Sequence, residues 1–148
     1  MSKRLQINCN FDNPALIIKR NAIKEEKLVY IGVANKKIKY EFGKKSHIVY
    51  IGTTKKGSDR MLESASQQGK KILCEPGIKE LKFFVVTCRK LQKVKTWPKL
   101  ERALLITFRS MFGTVPQCNK QGNKMSWTDE HDYFTEDRLK TVIKRLSE

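Results

Sequence analysis

The chain has 148 residues, enough for one domain, and 39% of them are hydrophobic, so a core of useful size can form. Its charge is one-sided, with 31 Lys and Arg against 15 Asp and Glu, a formal +16. That balance excludes an acidic disordered tail and points to a polyanionic partner, nucleic acid rather than a membrane surface, because the basic residues are spread along the whole chain instead of lining one amphipathic face.

No run approaches the ~18 apolar residues a membrane span needs, and Met1–Gln6 leads into no apolar stretch of the kind a secretory signal carries. Cys9, Cys74, Cys88 and Cys118 are scattered, and His47 and His131 lie far from them in sequence. The expectation is four reduced thiols, no zinc site, and a cytoplasmic or nucleoid-associated protein.

Arg4–Phe11 alternates Leu5, Ile7, Cys9 and Phe11 with polar residues and reads as a strand. Asn13-Pro14 reads as the start of a helix over Ala15–Glu26. Lys27–Ala34, Lys37–Phe42 and His47–Thr53 read as an antiparallel meander, joined at Asn35-Lys36 and at Gly43–Ser46. Ser58 is placed to cap a helix over Asp59–Gln68, which Gly69 ends. Glu80–Arg89 is the most apolar strand and is expected at the sheet centre. The strongest helix pattern is Lys99–Phe112, opened by Trp97-Pro98 and stopped by Gly113. A last helix, capped by Thr135, carries Leu139, Val142, Ile143 and Leu146 on one face. The expected class is α+β, a small antiparallel β-sheet flanked by α-helices. One domain, 1–148, is divided into an arm (1–26), a core (27–119) and a C-terminal helical extension (124–148).

The most informative stretch is His47-Ile48-Val49-Tyr50-Ile51-Gly52-Thr53-Thr54, followed by Arg60 ten residues after Tyr50. Glu101 lies near the start of a later helix, and Pro116-Gln117-Cys118-Asn119 lies beyond it. In order and placement these residues resemble the GIY-YIG nucleases, over roughly 27–119. The resemblance implies a divalent-metal-dependent endonuclease that hydrolyses phosphodiester bonds in DNA, double-stranded in the first instance. It implies Tyr50, Arg60, Glu101 and Asn119 as site residues. It also implies Glu101 as the ligand of one Mg²⁺ (or Mn²⁺) per site. The family's first tyrosine is either Tyr30, which follows Val29, or Tyr40, which has the shorter spacing to Tyr50; Tyr30 makes 36–46 an inserted hairpin. Departures from the family pattern are Leu28 or Ile38 in place of its first glycine, Ser64 four residues past Arg60, and Thr53 after Tyr-Ile-Gly.

These residue types suit the chemistry. Arginine offers a permanent cation and a fork of donors to phosphoryl oxygens. A carboxylate holds a hard cation that acts as a Lewis acid. A tyrosine hydroxyl, lowered in pKa by metal and cations, orients or deprotonates water. Lys44, Lys45, Lys55, Lys56, Lys90, Lys93 and Lys95 are expected to contact DNA phosphates. The plainer reading makes Tyr30 and Tyr50 half-buried strand aromatics, Arg60 and Glu101 surface charges, Asn119 a turn residue and His47 a strand start. Asp129, Glu130, Asp132, Glu136 and Asp137 read as the solvated start of the last helix. The alternative function is a non-catalytic basic nucleic-acid-binding protein; a second enzyme alternative is a structure-selective nuclease acting on repair or recombination intermediates. The oligomeric state, monomer or homodimer, stays open.

Overall fold

The computed structural model describes residues 4–148; Met1, Ser2 and Lys3, part of the stretch read for a secretory signal, lie outside it. Its elements run β1 (Leu28–Lys39), β2 (Lys45–Thr54), α1 (Ser58–Ile72), β3 (Leu81–Val86), α2 (Thr96–Phe112), a short 3-10 turn (Glu130–Asp132) and α3 (Glu136–Ser147). The class is α+β: one open antiparallel sheet of three strands, ordered β2-β1-β3, with three α-helices. No helix among the described residues is long and apolar enough to cross a membrane.

The sheet centre is β1, not the Glu80–Arg89 run. Leu28, Val29, Tyr30 and Ile31 are all buried, as a strand covered on both faces requires. β3 is an edge strand whose Phe84 stays 43% exposed; its apolar run coats one border of the sheet and is not sandwiched. On one face Val29, Ile31, Ile48 and Ile51 meet Leu100, Leu104 and Phe108 of α2 and Leu139 and Ile143 of α3. The last helix thus completes the core. On the other face Leu28 and Tyr30 meet Met61 of α1, with Tyr50 and Phe83 alongside.

The expected meander is corrected to a single hairpin. β1 runs straight through Asn35-Lys36, and the chain reverses at Tyr40–Lys44, closed by Tyr40 N–H to Lys44 O at 2.8 Å. Asn35 is not a turn residue. Its side-chain Oδ1 accepts from Lys79 N and Glu80 N at 2.9 and 3.1 Å, and its Nδ2 donates to Gly77 O at 3.2 Å, so it ties down the loop that feeds β3.

Both ends of α1 also differ from expectation. α1 continues through Gly69 to Ile72, because Ile72 and Gly69 are buried against the fold and packing overrides the local stop. Ser58 does not cap it; the capping position is Gly57, at φ 69°, and the Ser58 hydroxyl accepts from Arg20 at 3.2 Å instead.

The N-terminal strand and helix do not form: residues 4–26 contain no regular element. Leu16, Ile17 and Ile18 are consecutive, so they cannot share one helical stripe, and an unpacked helix of this length is marginal in water. The Arg4–Phe11 pattern has no sheet edge beside it, and a lone strand has nothing to bond. Among the described residues the arm is tied to the fold near its end, by Arg20 to Asp59 at 3.6 Å, Gly57 N–H to Glu26 O at 2.9 Å, and Ile23 beside Tyr30 and Met61.

Candidate active site

Two copies of one tripeptide build the centre. Tyr30-Ile31-Gly32 and Tyr50-Ile51-Gly52 run antiparallel side by side, with Tyr30 opposite Gly52, Ile31 opposite Ile51 and Gly32 opposite Tyr50. Residues two apart, and residues paired across strands, share a face. Both tyrosines therefore stand on the α1 face, and both isoleucines point into the α2–α3 core. The rings lie 5.9 Å apart, tilted by 36°. A Cβ on Gly52 would come within 2.7 Å of Tyr30 Cζ, so Gly52 is the space the Tyr30 ring occupies.

A β-bulge sharpens this arrangement. Gly32 pairs with Tyr50 but Val33 pairs with Ile48, leaving Val49 as the extra residue. The bulge keeps Ile48 and Ile51 on the core side while Tyr50 stays with Tyr30.

α1 supplies the next two groups. Ser64 is fully buried, and its hydroxyl shares a hydrogen bond of 2.6 Å with the Tyr30 hydroxyl. Ser64 was not among the expected site residues; the signal was its position one helical turn after Arg60, on the same face. Arg60 is exposed, bonded to Glu63 at 2.9 Å, and close enough to both tyrosines to interact with them electrostatically.

The Tyr50 hydroxyl is pushed up to about 12, by burial first and then by Tyr30; Ser64 pulls it down, and the nearby Glu101 adds a further upward push. The chain's own groups thus move it opposite to the lowered value expected from the sequence. Tyr50 is a neutral hydrogen-bonding hydroxyl at pH 7, not a tyrosinate.

Glu101 sits half-buried on α2. Burial raises its carboxyl from the usual 4.5 to about 7, and Arg102 offsets only part of that. Arg102 is engaged elsewhere, with Nε to Glu130 at 2.8 Å and Nη2 to Ser126 O at 2.8 Å. This corrects the reading of Glu130 and Asp129 as solvated, while Asp132, Glu136 and Asp137 are exposed and the last two lie in the first turn of α3, as expected. Glu130 is buried, and although burial favours its neutral form, hydrogen bonds from Arg102 and Thr128 hold its carboxyl at about 2. Asp129 pairs with Lys99 at 2.7 Å. Among the described residues no three His, Cys, Asp or Glu side chains gather as a metal cluster.

Asn119 does not touch the tyrosine hydroxyls. It grips Ile51 as a surrogate strand, its Oδ1 accepting from Ile51 N at 2.9 Å and its Nδ2 donating to Ile51 O at 2.8 Å. It fixes the residue after Tyr50. Tyr40 lies in the core, edge-on to Phe108 and Phe112. Its hydroxyl donates to Ile48 O at 2.7 Å and accepts from Gln117 N at 3.1 Å, with no part left over for chemistry. His47 bonds Ala34 O at 2.7 Å through Nδ1, a strand contact.

The structure separates the expected DNA-contacting lysines. Thr53, Thr54, Lys55, Lys56, Arg60, Glu63 and Trp97 line an open cleft of about 400 Å³ where β2 meets α1 and α2. Lys90, Lys93 and Lys95 are exposed on the loop entering α2. Lys44 and Lys45 are exposed at the opposite end of the hairpin; Lys45 is five residues from Tyr50 along β2, roughly 17 Å of extended chain.

Comparison with protein-family models, with curated proteins and with solved structures gives no match to this chain.

Proposed function

We propose that this chain is a divalent-metal-dependent endonuclease that hydrolyses phosphodiester bonds in DNA, built on a GIY-YIG-like core. The observation that carries the reading is the convergence of Tyr30, Tyr50, Ser64, Arg60 and Glu101 from two strands and two helices onto one sheet face and its border. A basic binding protein without catalysis needs the lysines, but it has no use for a half-buried carboxyl that pairs with no cation among the described residues, which carries a desolvation cost.

That carboxyl suits a hard divalent cation. Glu101 would hold Mg²⁺, an ion that keeps much of its water shell and needs only one or two protein carboxylates beside a substrate phosphate. When bound, such an ion supplies Lewis-acid stabilisation of phosphoryl and leaving oxygens.

The other residues have roles of their own. Arg60 offers its guanidinium fork to the non-bridging oxygens of the phosphate under attack, giving up its exposed pairing with Glu63. The neutral Tyr50 hydroxyl orients the attacking water by hydrogen bonding. Tyr30, locked by Ser64, holds Tyr50 in place and completes the hydroxyl pair. Asn119 keeps the Tyr50 strand from shifting.

The test is to incubate the purified protein with supercoiled plasmid in Mg²⁺ and in excess chelator. Nicked or linear product that appears only with the metal is the expected result. Plasmid that stays supercoiled, together with a flapped duplex that stays intact, in Mg²⁺ at protein excess rejects the reading.

A further inference from the structure

We propose that the cleft beside Arg60 receives one unpaired nucleotide of the bound DNA, its phosphate held by Lys55 and Lys56 and its base lying against Trp97. The inference rests on the nuclease reading and narrows its substrate to DNA with an unpaired nucleotide next to the cut.

Three observations lead there. At about 400 Å³ the cleft falls within the size range of small-ligand sites. Its charged lining is Lys55, Lys56 and Arg60 against the single carboxylate Glu63, so it attracts an anion. Its wall is an indole, half-buried and therefore held in place, with the Lys27 ammonium 4.7 Å from the ring centroid. Cations that follow a backbone, together with an aromatic ring that takes a base, are the combination by which single strands are bound. A fully paired duplex offers such a cleft only phosphates, since its bases are stacked inside, and the indole would go unused.

The position is also informative. Trp97 precedes Glu101 by one turn of α2, so both lie along one side of that helix. Arg60 both lines the cleft and lies close enough to Tyr30 and Tyr50 to interact with them electrostatically. A nucleotide seated there is an immediate neighbour of the phosphate that Arg60 would hold.

The chain has two tryptophans, Trp97 and Trp127, so Trp127→Phe makes Trp97 the sole reporter. Binding is measured by fluorescence in chelator, where no cutting occurs, with oligo(dT), a blunt duplex, the same duplex carrying a single-stranded flap, and dTMP. Flapped DNA and oligo(dT) should quench Trp97 and bind more tightly than the blunt duplex. In the parent chain, Trp97→Ala should weaken flapped-DNA binding about 5- to 100-fold and the blunt duplex less than about twofold, while Trp97→Phe keeps most of the affinity. Equal quenching by blunt and flapped DNA, or loss at Trp97→Ala shared equally by both, overturns the proposal. So does quenching by dTMP at the same micromolar concentrations, which would mark a free-nucleotide site. Plasmid cleavage with an unresponsive Trp97 removes the cleft proposal alone. Quenching by flapped DNA from a protein that in Mg²⁺ cuts neither plasmid nor the flapped duplex leaves the cleft as a binding site and removes the nuclease reading.

Discussion

Tyr30 and Gly52 face each other across β1 and β2, and the tyrosine ring fills the place a Gly52 side chain would take, 2.7 Å from ring to virtual Cβ. The glycine of the second Tyr-Ile-Gly is therefore required by the tyrosine of the first. Gly52→Ala should displace the Tyr30 ring, cost about 1–3 kcal/mol of stability, and strongly reduce cleavage. Adding Tyr30→Leu should restore much of the stability, because the smaller side chain leaves room, without restoring cleavage. Denaturant melts of both variants check this; full additivity of the two substitutions would contradict the contact.

A tyrosine-to-phenylalanine panel separates the three hydroxyls. Tyr50→Phe should lower the cleavage rate by about 10²–10³-fold with little change in melting temperature. Tyr30→Phe should also slow cleavage, and should cost about 1 kcal/mol through the lost bond to Ser64. Tyr40→Phe should do the reverse: it leaves Ile48 O and Gln117 N without their partner, costs about 1–3 kcal/mol, and leaves the rate of the folded protein unchanged. Equal rates for all three variants would remove the tyrosines from the chemistry.

Glu101 makes the stability of the metal-free protein depend on pH. Its folded pKa is raised, from 4.5 to about 7. Across that interval the folded state holds a proton the unfolded chain has released, so this group's contribution is full below about 4.5 and is lost as pH rises through about 7. Glu101→Gln should flatten this component in urea melts at pH 5 and pH 8. Mg²⁺ needs the carboxylate, so its stabilising effect on the wild type should grow over the same interval. Parallel pH profiles for the two proteins would contradict the assigned environment.

Salt should act through a subset of the lysines. Each phosphate contact removed should reduce the slope of log K against log salt by about 0.9 on duplex DNA. Lys55→Gln with Lys56→Gln, beside the cleft, should reduce the slope more than Lys44→Gln with Lys45→Gln at the far end of the hairpin. Equal changes would mean that DNA follows the whole hairpin.

The parts of the molecule that the residues made legible are those whose pattern is set by packing. The apolar face of Leu139, Val142, Ile143 and Leu146 read as a helix and is one. The α2 stripe of Leu100, Leu104 and Phe108 did likewise. What stayed hidden depends on contacts between distant residues. Asn35 looked like a turn because nothing local shows that its side chain bonds residues 77–80. Leu5, Ile7 and Phe11 alternate as in a strand yet remain about 90% exposed, since no neighbouring edge takes them. At the site, Tyr50, Arg60 and Glu101 stood out by type and spacing. Ser64 did not, because a buried serine is recognised by its partner, Tyr30, and the sequence does not display that pairing. The repetition of Tyr-Ile-Gly at 30–32 and 50–52 was visible in the sequence and distinguishes Tyr30 from Tyr40 as the neighbour of Tyr50.

Metal-dependent cleavage at Glu101 is tested by comparing wild type and Glu101→Gln on the same DNA in Mg²⁺, with binding and cutting measured side by side. The substitution keeps the side-chain shape and removes the charge that would hold the ion. The variant should bind DNA within about twofold of wild type, since exposed lysines supply most of the affinity, while its cleavage falls by at least about 10²-fold. A Glu101→Gln protein that cuts at the wild-type rate would contradict the role of this carboxylate.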